Sequence, residues 1–240
     1  MAGRWRFAGA PLPLPVTLDG VLLSAERESI VLACRRLAWD RLVVGTAGNV
    51  SVRSGDRIAV TPSGVAYDQL TPGAVGVHAL DGAPTEAPLA PTSELPLHLA
   101  VYAATGATAI VHTHSVAATA LSCLVDEVPP VHYYMAFFGG VVRVAPYAEY
   151  GTDALAAAAA AALDGRTGCL LANHGAIAIG SSLSQAYDRA LYLEWLCDVA
   201  LRTLSSGLPP RLLDPEQLDS VATRLAGYGQ QAPADRGADA

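Results

Sequence analysis

The chain of 240 residues contains no lysine; all 15 of its basic residues are arginine. A mechanism that forms an imine on a lysine side chain is therefore excluded. Charge is scarce as well: 15% of residues are charged, where an average soluble domain has about 25%. With 52% hydrophobic residues, a substantial core is expected. The balance of 15 basic against 22 acidic residues, a net charge of −7, argues against nucleic acid or an anionic membrane surface as partner, since either would need a basic patch. No apolar run reaches the ~18 residues of a membrane span. The N-terminal stretch MAGRWRFAGAPLPLPVTLDG is broken by Pro11, Pro13 and Pro15, so it is not read as a signal peptide. The cysteines, Cys34, Cys123, Cys169 and Cys197, form no C-x-x-C pair. They read as reduced, mostly buried thiols in a cytoplasmic protein.

What is present suggests one domain. Residues 1–20 look like an extended, proline-punctuated arm. Residues 230–240 lack large apolar side chains and are expected to be disordered. Between them, 21–229 contains no linker and no repeat. Helical spacing and cap signals predict helices over 24–40, 92–105, 116–125, 152–163, 183–204 and 215–226. Strands are predicted at 50–53, 57–61, 75–80, 107–112, 141–145, 168–172 and 176–179. This interleaving, with one tight hairpin at 54–56, means an α/β fold with at least partly antiparallel pairing.

His112 and His114 stand at the end of the run AIVHTH. Residues i and i+2 of a strand share a face, so two imidazoles there form a chelate suited to a borderline metal such as zinc. His-x-His at a strand end is also common by chance. His174 lies in LLANHG, where another β run stops and Gly175 permits a sharp backbone change. Three histidines would leave a coordination position open, as catalytic sites do. Glu94, in PTSE, is the carboxylate best placed to act as a base, although Ser or Thr followed by Glu is equally a capping arrangement. Thr92 and Ser93 add hydroxyls at that helix start, and the loops 46–49 and 61–64 set a Gly beside small polar residues, a pattern that suits anions. Each loop alone reads as an ordinary turn, and none is a Walker-type loop. Tyr133, in HYY, is a phenol that fits either a general acid or plain packing. His78 and His98 read as ordinary strand and helix residues.

Seven segments in order, TAGNVSVR, TPSGVAYDQL, PTSELPLHLAVY, VHTHS, VHYYMAFFGG, APYAEYGT and NHGAIAIG, make the chain resemble the class II aldolase/adducin-like family, and within it the L-fuculose-1-phosphate aldolase branch. The resemblance implies a three-layer α/β/α domain around a central, mostly antiparallel sheet, assembled as a homotetramer. It implies one zinc ion held by His112, His114 and His174, with Glu94 as the catalytic carboxylate, able to approach the metal when substrate is absent. Gly48, Asn49, Ser63, Gly64, Thr92 and Ser93 correspond to a phosphate pocket. Thr92 stands where family members often have Ser, keeping the hydroxyl. Tyr133 corresponds to a proton donor contributed across a subunit interface, and Tyr150 and Tyr228 to the aldehyde side of the site; beyond Tyr228 the pattern departs from the family. The implied reaction is reversible cleavage of a ketose 1-phosphate, such as L-fuculose 1-phosphate or a 5-deoxypentulose 1-phosphate, to dihydroxyacetone phosphate and a small aldehyde. Burial is expected to raise the Glu94 pKa towards the working range. Relatives with the same site include pentulose-phosphate 4-epimerases, sugar-acid phosphate decarboxylases and a methylthioribulose-phosphate dehydratase, and adducin heads that bind without catalysis.

Overall fold

The computed structural model describes residues 21–225. The proposed arm, the tail and Tyr228 lie outside these residues. Six α-helices and eight strands alternate along the described chain: α1 Ser24–Trp39, β1 Asn49–Ser54, β2 Arg57–Val60, β3 Gly76–Ala79, β4 Pro84–Glu86, α2 Leu95–Ala104, β5 Ala109–Thr113, α3 Val116–Ser122, β6 Val144–Ala145, α4 Asp153–Ala162, β7 Gly168–Leu171, β8 Gly175–Gly180, α5 Leu183–Ser205 and α6 Pro215–Leu225. The strands form one sheet in the order β4-β3-β2-β1-β5-β8-β7-β6. Every neighbouring pair is antiparallel except β6 with β7. The expected α/β class and mostly antiparallel sheet are both present.

Side-chain alternation along the strands builds the layers. Val50, Ala59, Val77, Ala109, Val111 and Ala178 pack with Ile30, Cys34 and Leu37 of α1 and Ala186 and Ala190 of α5 on one face. Ile58, Val60, Ile110, Cys169, Ile177 and Ile179 pack with Leu97 and Val101 of α2 and Leu155 and Ala159 of α4 on the other. Helices on both faces of the sheet give the three layers. A third cluster, around α3, α6 and the far half of α5, buries Met135, Phe138, Leu193 and Leu196. Caps set the helix starts: Thr152 accepts from the Leu155 N–H and Ser182 from the Gln185 N–H.

Several segments differ from the sequence expectation, the predicted helix 116–125 among them, which ends at Ser122. Helix α2 begins at Leu95 rather than 92, because Thr92–Glu94 form a turn in which the Leu95 N–H donates to the Thr92 carbonyl. The strand predicted at 141–145 shrinks to Val144–Ala145. Strand β4 was not foreseen; three residues beginning with proline carry no periodicity. It is held to α1 by Arg27, which is buried and pairs with Glu86 at 2.8 Å. Residues Tyr133–Phe138 form a 3-10 helix.

The central strand β5 lies between β1 and β8, antiparallel to both. Its last residues therefore meet the first residues of its neighbours: His112 pairs with Asn49, and Thr113 with Ala176. Gly175 sits in this corner, where an added Cβ would lie 2.1 Å from the Thr113 carbonyl oxygen. Gly175→Ala must push β8 away from β5 next to His112 and His174. It is expected to cost about 1–3 kcal/mol of stability and to weaken divalent-metal binding more than a substitution at an exposed site. Thermal melts with and without zinc check this; unchanged melting in both would contradict the close approach.

Candidate metal centre and its cavity

The sheet geometry gathers three imidazoles. His112 faces the same side as Ile110, towards α2 and α4, and is fully buried. Beyond the strand end, the His114 N–H donates to the Leu42 carbonyl at 3.2 Å. The next helix, α3, is anchored from α5: the two Glu194 carboxylate oxygens accept from the N–H groups of Ala117 and Ala118 at 2.8 Å each. His174 follows Asn173, which adopts a left-handed backbone with φ 57°; asparagine tolerates that conformation better than most residues.

The three rings converge with centroids 4.7, 4.9 and 4.8 Å apart. His112 Nδ1 donates to the Ala176 carbonyl at 3.0 Å. That bond fixes the ring orientation and aims Nε2 inward, as outer partners of metal-bound histidines do. His112 Nε2 lies 3.0 Å from His114 Nε2. Glu94 Oε2 lies 3.1 Å from His112 Nε2, and Glu94 Oε1 lies 3.5 Å from His174 Nε2. One ligand atom from each of the four residues falls within 4.8 Å of every other. A tetrahedral metal with bonds of about 2.0–2.1 Å holds its ligand atoms about 3.3 Å apart, so these separations fit a divalent cation. Glu94 Oε1 adds a second sign of fit, being buried without a hydrogen-bond partner.

Glu94 sits at the N-cap position of α2, yet its side chain caps nothing. The carboxylate, 4% exposed, turns instead to the histidines. Burial alone pushes its pKa up, but the charge and hydrogen bond of His112, the Asn49 amide and the His174 charge hold it well below the usual carboxylate range. The expectation of a raised Glu94 pKa is thus reversed, because the carboxylate is buried against partners rather than against apolar surface. His112 moves the other way: burial lowers it, and the Glu94 carboxylate outweighs burial and raises it. His114 and His174 are lowered to about 4, by burial first and then by the charge on His112.

The phosphate-type loops meet beside this cluster. The Thr92 N–H donates to the Thr61 carbonyl and the Ser63 N–H to the Ala90 carbonyl, both at 3.0 Å. Gly48 has φ +83°, and a Cβ there would lie 2.9 Å from the His112 carbonyl oxygen and 2.7 Å from Val43 Cγ1. Only glycine fits between the loop and β5. A cavity of about 390 Å³ is lined by Gly48, Asn49, Ser63, Gly64, Thr92, Ser93, Glu94, His114, His174 and Tyr150, ten of the residues expected from the sequence. His112 completes the cluster from beneath. Tyr133 does not line this cavity; it is 43% exposed on a surface of rings with His132 and Tyr134.

Sequence reasoning missed Tyr147 and Asn173, which also line the cavity. Their signal was proximity to Tyr150 and His174. His98 is not an ordinary helix residue: it is fully buried with both ring nitrogens hydrogen-bonded, one to Ser51 and one to Asn49. Its spacing of four from Glu94 was the available signal.

Comparison with known proteins agrees with this geometry. The model of the Class II Aldolase and Adducin N-terminal domain matches residues 28–201. A 5-deoxy-D-ribulose 1-phosphate aldolase of Bacillus thuringiensis is 38% identical over 214 residues, 88% of this chain and all of that one. The L-fuculose phosphate aldolase of Escherichia coli K12 is 37% identical, covering 84% of this chain and 94% of its own length. A solved L-fuculose 1-phosphate aldolase superposes with a TM-score of 0.82 at 33% identity, over 85% of this chain and 97% of that one. Matched along most of its length by the family model and by these relatives, the chain belongs to the class II aldolase and adducin N-terminal domain family.

Proposed function

We propose that the protein is a zinc-dependent aldolase. It cleaves a 5-deoxypentulose or 6-deoxyhexulose 1-phosphate reversibly to dihydroxyacetone phosphate and a small aldehyde. The observation that carries this reading is a buried carboxylate, Glu94, set between a trio of imidazoles and a cavity rich in small polar residues. His112, His114 and His174 would hold the cation, with Glu94 as a fourth ligand when substrate is absent. When bound, the cation supplies Lewis-acid stabilisation of charge on the ketone oxygen. Two imidazoles already neutral near pH 7 favour a borderline metal such as zinc.

The chain's own residues do the rest. Thr92 Oγ1 accepts from Asn49 Nδ2 at 3.0 Å and from the Glu94 N–H at 3.3 Å. Its own hydrogen is thereby directed to another acceptor, and a substrate phosphate fits that role together with Ser63, Gly64, Ser93 and Gly48. Glu94 returns a proton to C3 after the C3–C4 bond breaks, and removes it in the condensing direction. Tyr133, which does not line the cavity of its own chain, serves as the phenol acting on the aldehyde oxygen once a neighbouring subunit brings it there, which calls for a homo-oligomer, read as a homotetramer. Tyr150 and Tyr147 flank the aldehyde side, and Tyr228 belongs to the same reading. The enzyme is read as cytoplasmic, acting on a sugar phosphate; separately, no helix among the described residues is long and apolar enough to cross a membrane.

An epimerase, decarboxylase or dehydratase reading would keep the metal and change the products. A non-catalytic reading leaves the retained Glu94 and three histidines without a purpose. Incubation with 5-deoxyribulose 1-phosphate and L-fuculose 1-phosphate is expected to release dihydroxyacetone phosphate. Chelation should abolish that release and zinc should restore it. Glu94→Gln should lower kcat by roughly 10²–10⁴-fold while the protein stays folded. Turnover unaffected by complete metal removal would overturn the proposal.

A second expectation follows from the opposed histidine shifts. The raised His112 carries a proton in the metal-free protein at pH values where His114 and His174, at about 4, carry none. A metal needs the His112 lone pair, so uptake at a pH between about 4 and the His112 value releases a proton. Release should fade as pH rises through the His112 value and grow as pH falls towards 4, where the other two begin to protonate. Calorimetric zinc titrations in buffers of different ionisation enthalpy measure this. In Glu94→Gln, which removes the charge raising His112, the pH at which release fades should move down.

A further inference from the structure

A ladder of polar side chains runs from the cavity into the core, and its rungs come alternately from α2 with its N-cap and from β1. Glu94, His98 and Tyr102 recur every four residues on one helix face, while Asn49 and Ser51 share one strand face. Four residues of helix rise about 6 Å, and two residues of strand about 6.7 Å, so the two rows keep step. Asn49 Nδ2 donates to Glu94 Oε2 at 2.8 Å and to Thr92 Oγ1 at 3.0 Å. Asn49 Oδ1 meets His98 Nε2 at 2.5 Å, Ser51 Oγ meets His98 Nδ1 at 2.6 Å, and Tyr102 OH meets Ser51 Oγ at 2.8 Å. Asn49, Ser51, His98 and Tyr102 are all buried.

The direction of each bond follows from the first. An ionised carboxylate only accepts, so Asn49 must present its NH₂ to Glu94 and keep its oxygen for His98. His98 Nε2 is then the donor to Asn49, which leaves Nδ1 bare as acceptor. The Ser51 hydroxyl donates to Nδ1 and accepts from Tyr102. Reversing Asn49 would set its oxygen against the Glu94 carboxylate, a like-polarity contact in a buried site. Such a half-broken network is heavily disfavoured. Glu94 Oε2 is thereby tied, while Oε1 has no hydrogen-bond partner.

We propose that His98 is a positioning residue: backed by Ser51 and Tyr102, it locks the Asn49 amide, which holds Glu94 by Oε2 and leaves Oε1 to exchange the C3 proton. The proposal rests on the aldolase reading above, and its test separates the two. His98→Gln places an amide NH₂ where Nε2 stood and keeps the donor to Asn49. His98→Asn reaches only the Ser51 side and loses that donor. Solvent exchange of the C3 proton of dihydroxyacetone phosphate reports the Glu94 step alone, and it is measured beside kcat, KM and metal content. H98N is expected to lower exchange and kcat by roughly 10- to 100-fold, with KM moving less than about threefold and zinc content unchanged. H98Q should recover most of the wild-type exchange rate, and Tyr102→Phe should give a smaller loss than H98N. Equal exchange in H98N and H98Q, with both folded and zinc-loaded, would overturn the positioning role, because a packing role treats the two amides alike. If either His98 variant fails to fold, wild-type exchange in Tyr102→Phe and Ser51→Ala would overturn it equally. Should the wild type show neither exchange nor cleavage, the aldolase reading fails. The ladder is then judged by ¹⁵N NMR of the Asn49 side chain: protection from solvent kept in H98Q and lost in H98N supports the lock, and no difference rejects it.

Discussion

A carboxylate withdrawn from water is the constraint around which this molecule is arranged. Placing Glu94 at 4% exposure would drive it to the neutral acid unless charge or hydrogen bonds offset the lost hydration. The protein supplies both from different elements. Asn49 comes from the first residue of β1, His112 from the end of β5, and His174 from the turn ahead of β8. Those positions are adjacent only because β5 is antiparallel to both neighbours in one particular register. A slip of one residue would turn every side chain to the opposite face and leave the carboxylate stranded.

The same register explains the glycines at this end of the sheet. Gly48 and Gly175 each stand where a Cβ would strike the backbone of β5 or its last residues. The compactness needed to bring three imidazole rings within 5 Å comes from strands and loops that approach more closely than side chains allow. Glu194 contributes from a distance by holding the start of α3, so the chain leaves His114 in one direction only.

Much of this was legible in the sequence because its signals are local. His112 and His114 obey the two-residue period of a strand, and His174 precedes a glycine at the end of another. The anion-type loops announce themselves by Gly, Ser, Thr and Asn. What was not legible depended on how elements interleave. His98 gains its role only when α2 lies along β1, and no property of the helix alone reveals that. Strand β4 is too short and too exposed at its start to carry a pattern, and it exists because Glu86 meets a buried arginine on α1. Tyr133 is the extreme case, since its proposed partner atoms belong to another copy of the chain.

The absence of lysine finds its counterpart in the cavity. Among the described residues its lining contains no arginine either; the polar side chains there are hydroxyls, amides, imidazoles and a carboxylate. A phosphate dianion entering such a site would meet a negative Glu94 with no arginine among the described lining residues to balance it, only an imidazolium where His112 keeps its proton. Repulsion between unit charges several ångströms apart is worth about 1–4 kcal/mol in water-rich to protein-like surroundings. A divalent ion held by His112, His114 and His174 would reverse the sign of the local field, giving a net positive centre even with Glu94 ionised. Metal would then serve the binding of substrate as well as its chemistry, and a site built from neutral donors would favour anions only in the loaded protein. Imidazole ligands, neutral once a cation is bound, would make that possible: a trio of carboxylates would cancel the cation's charge and leave the phosphate without a counterpart.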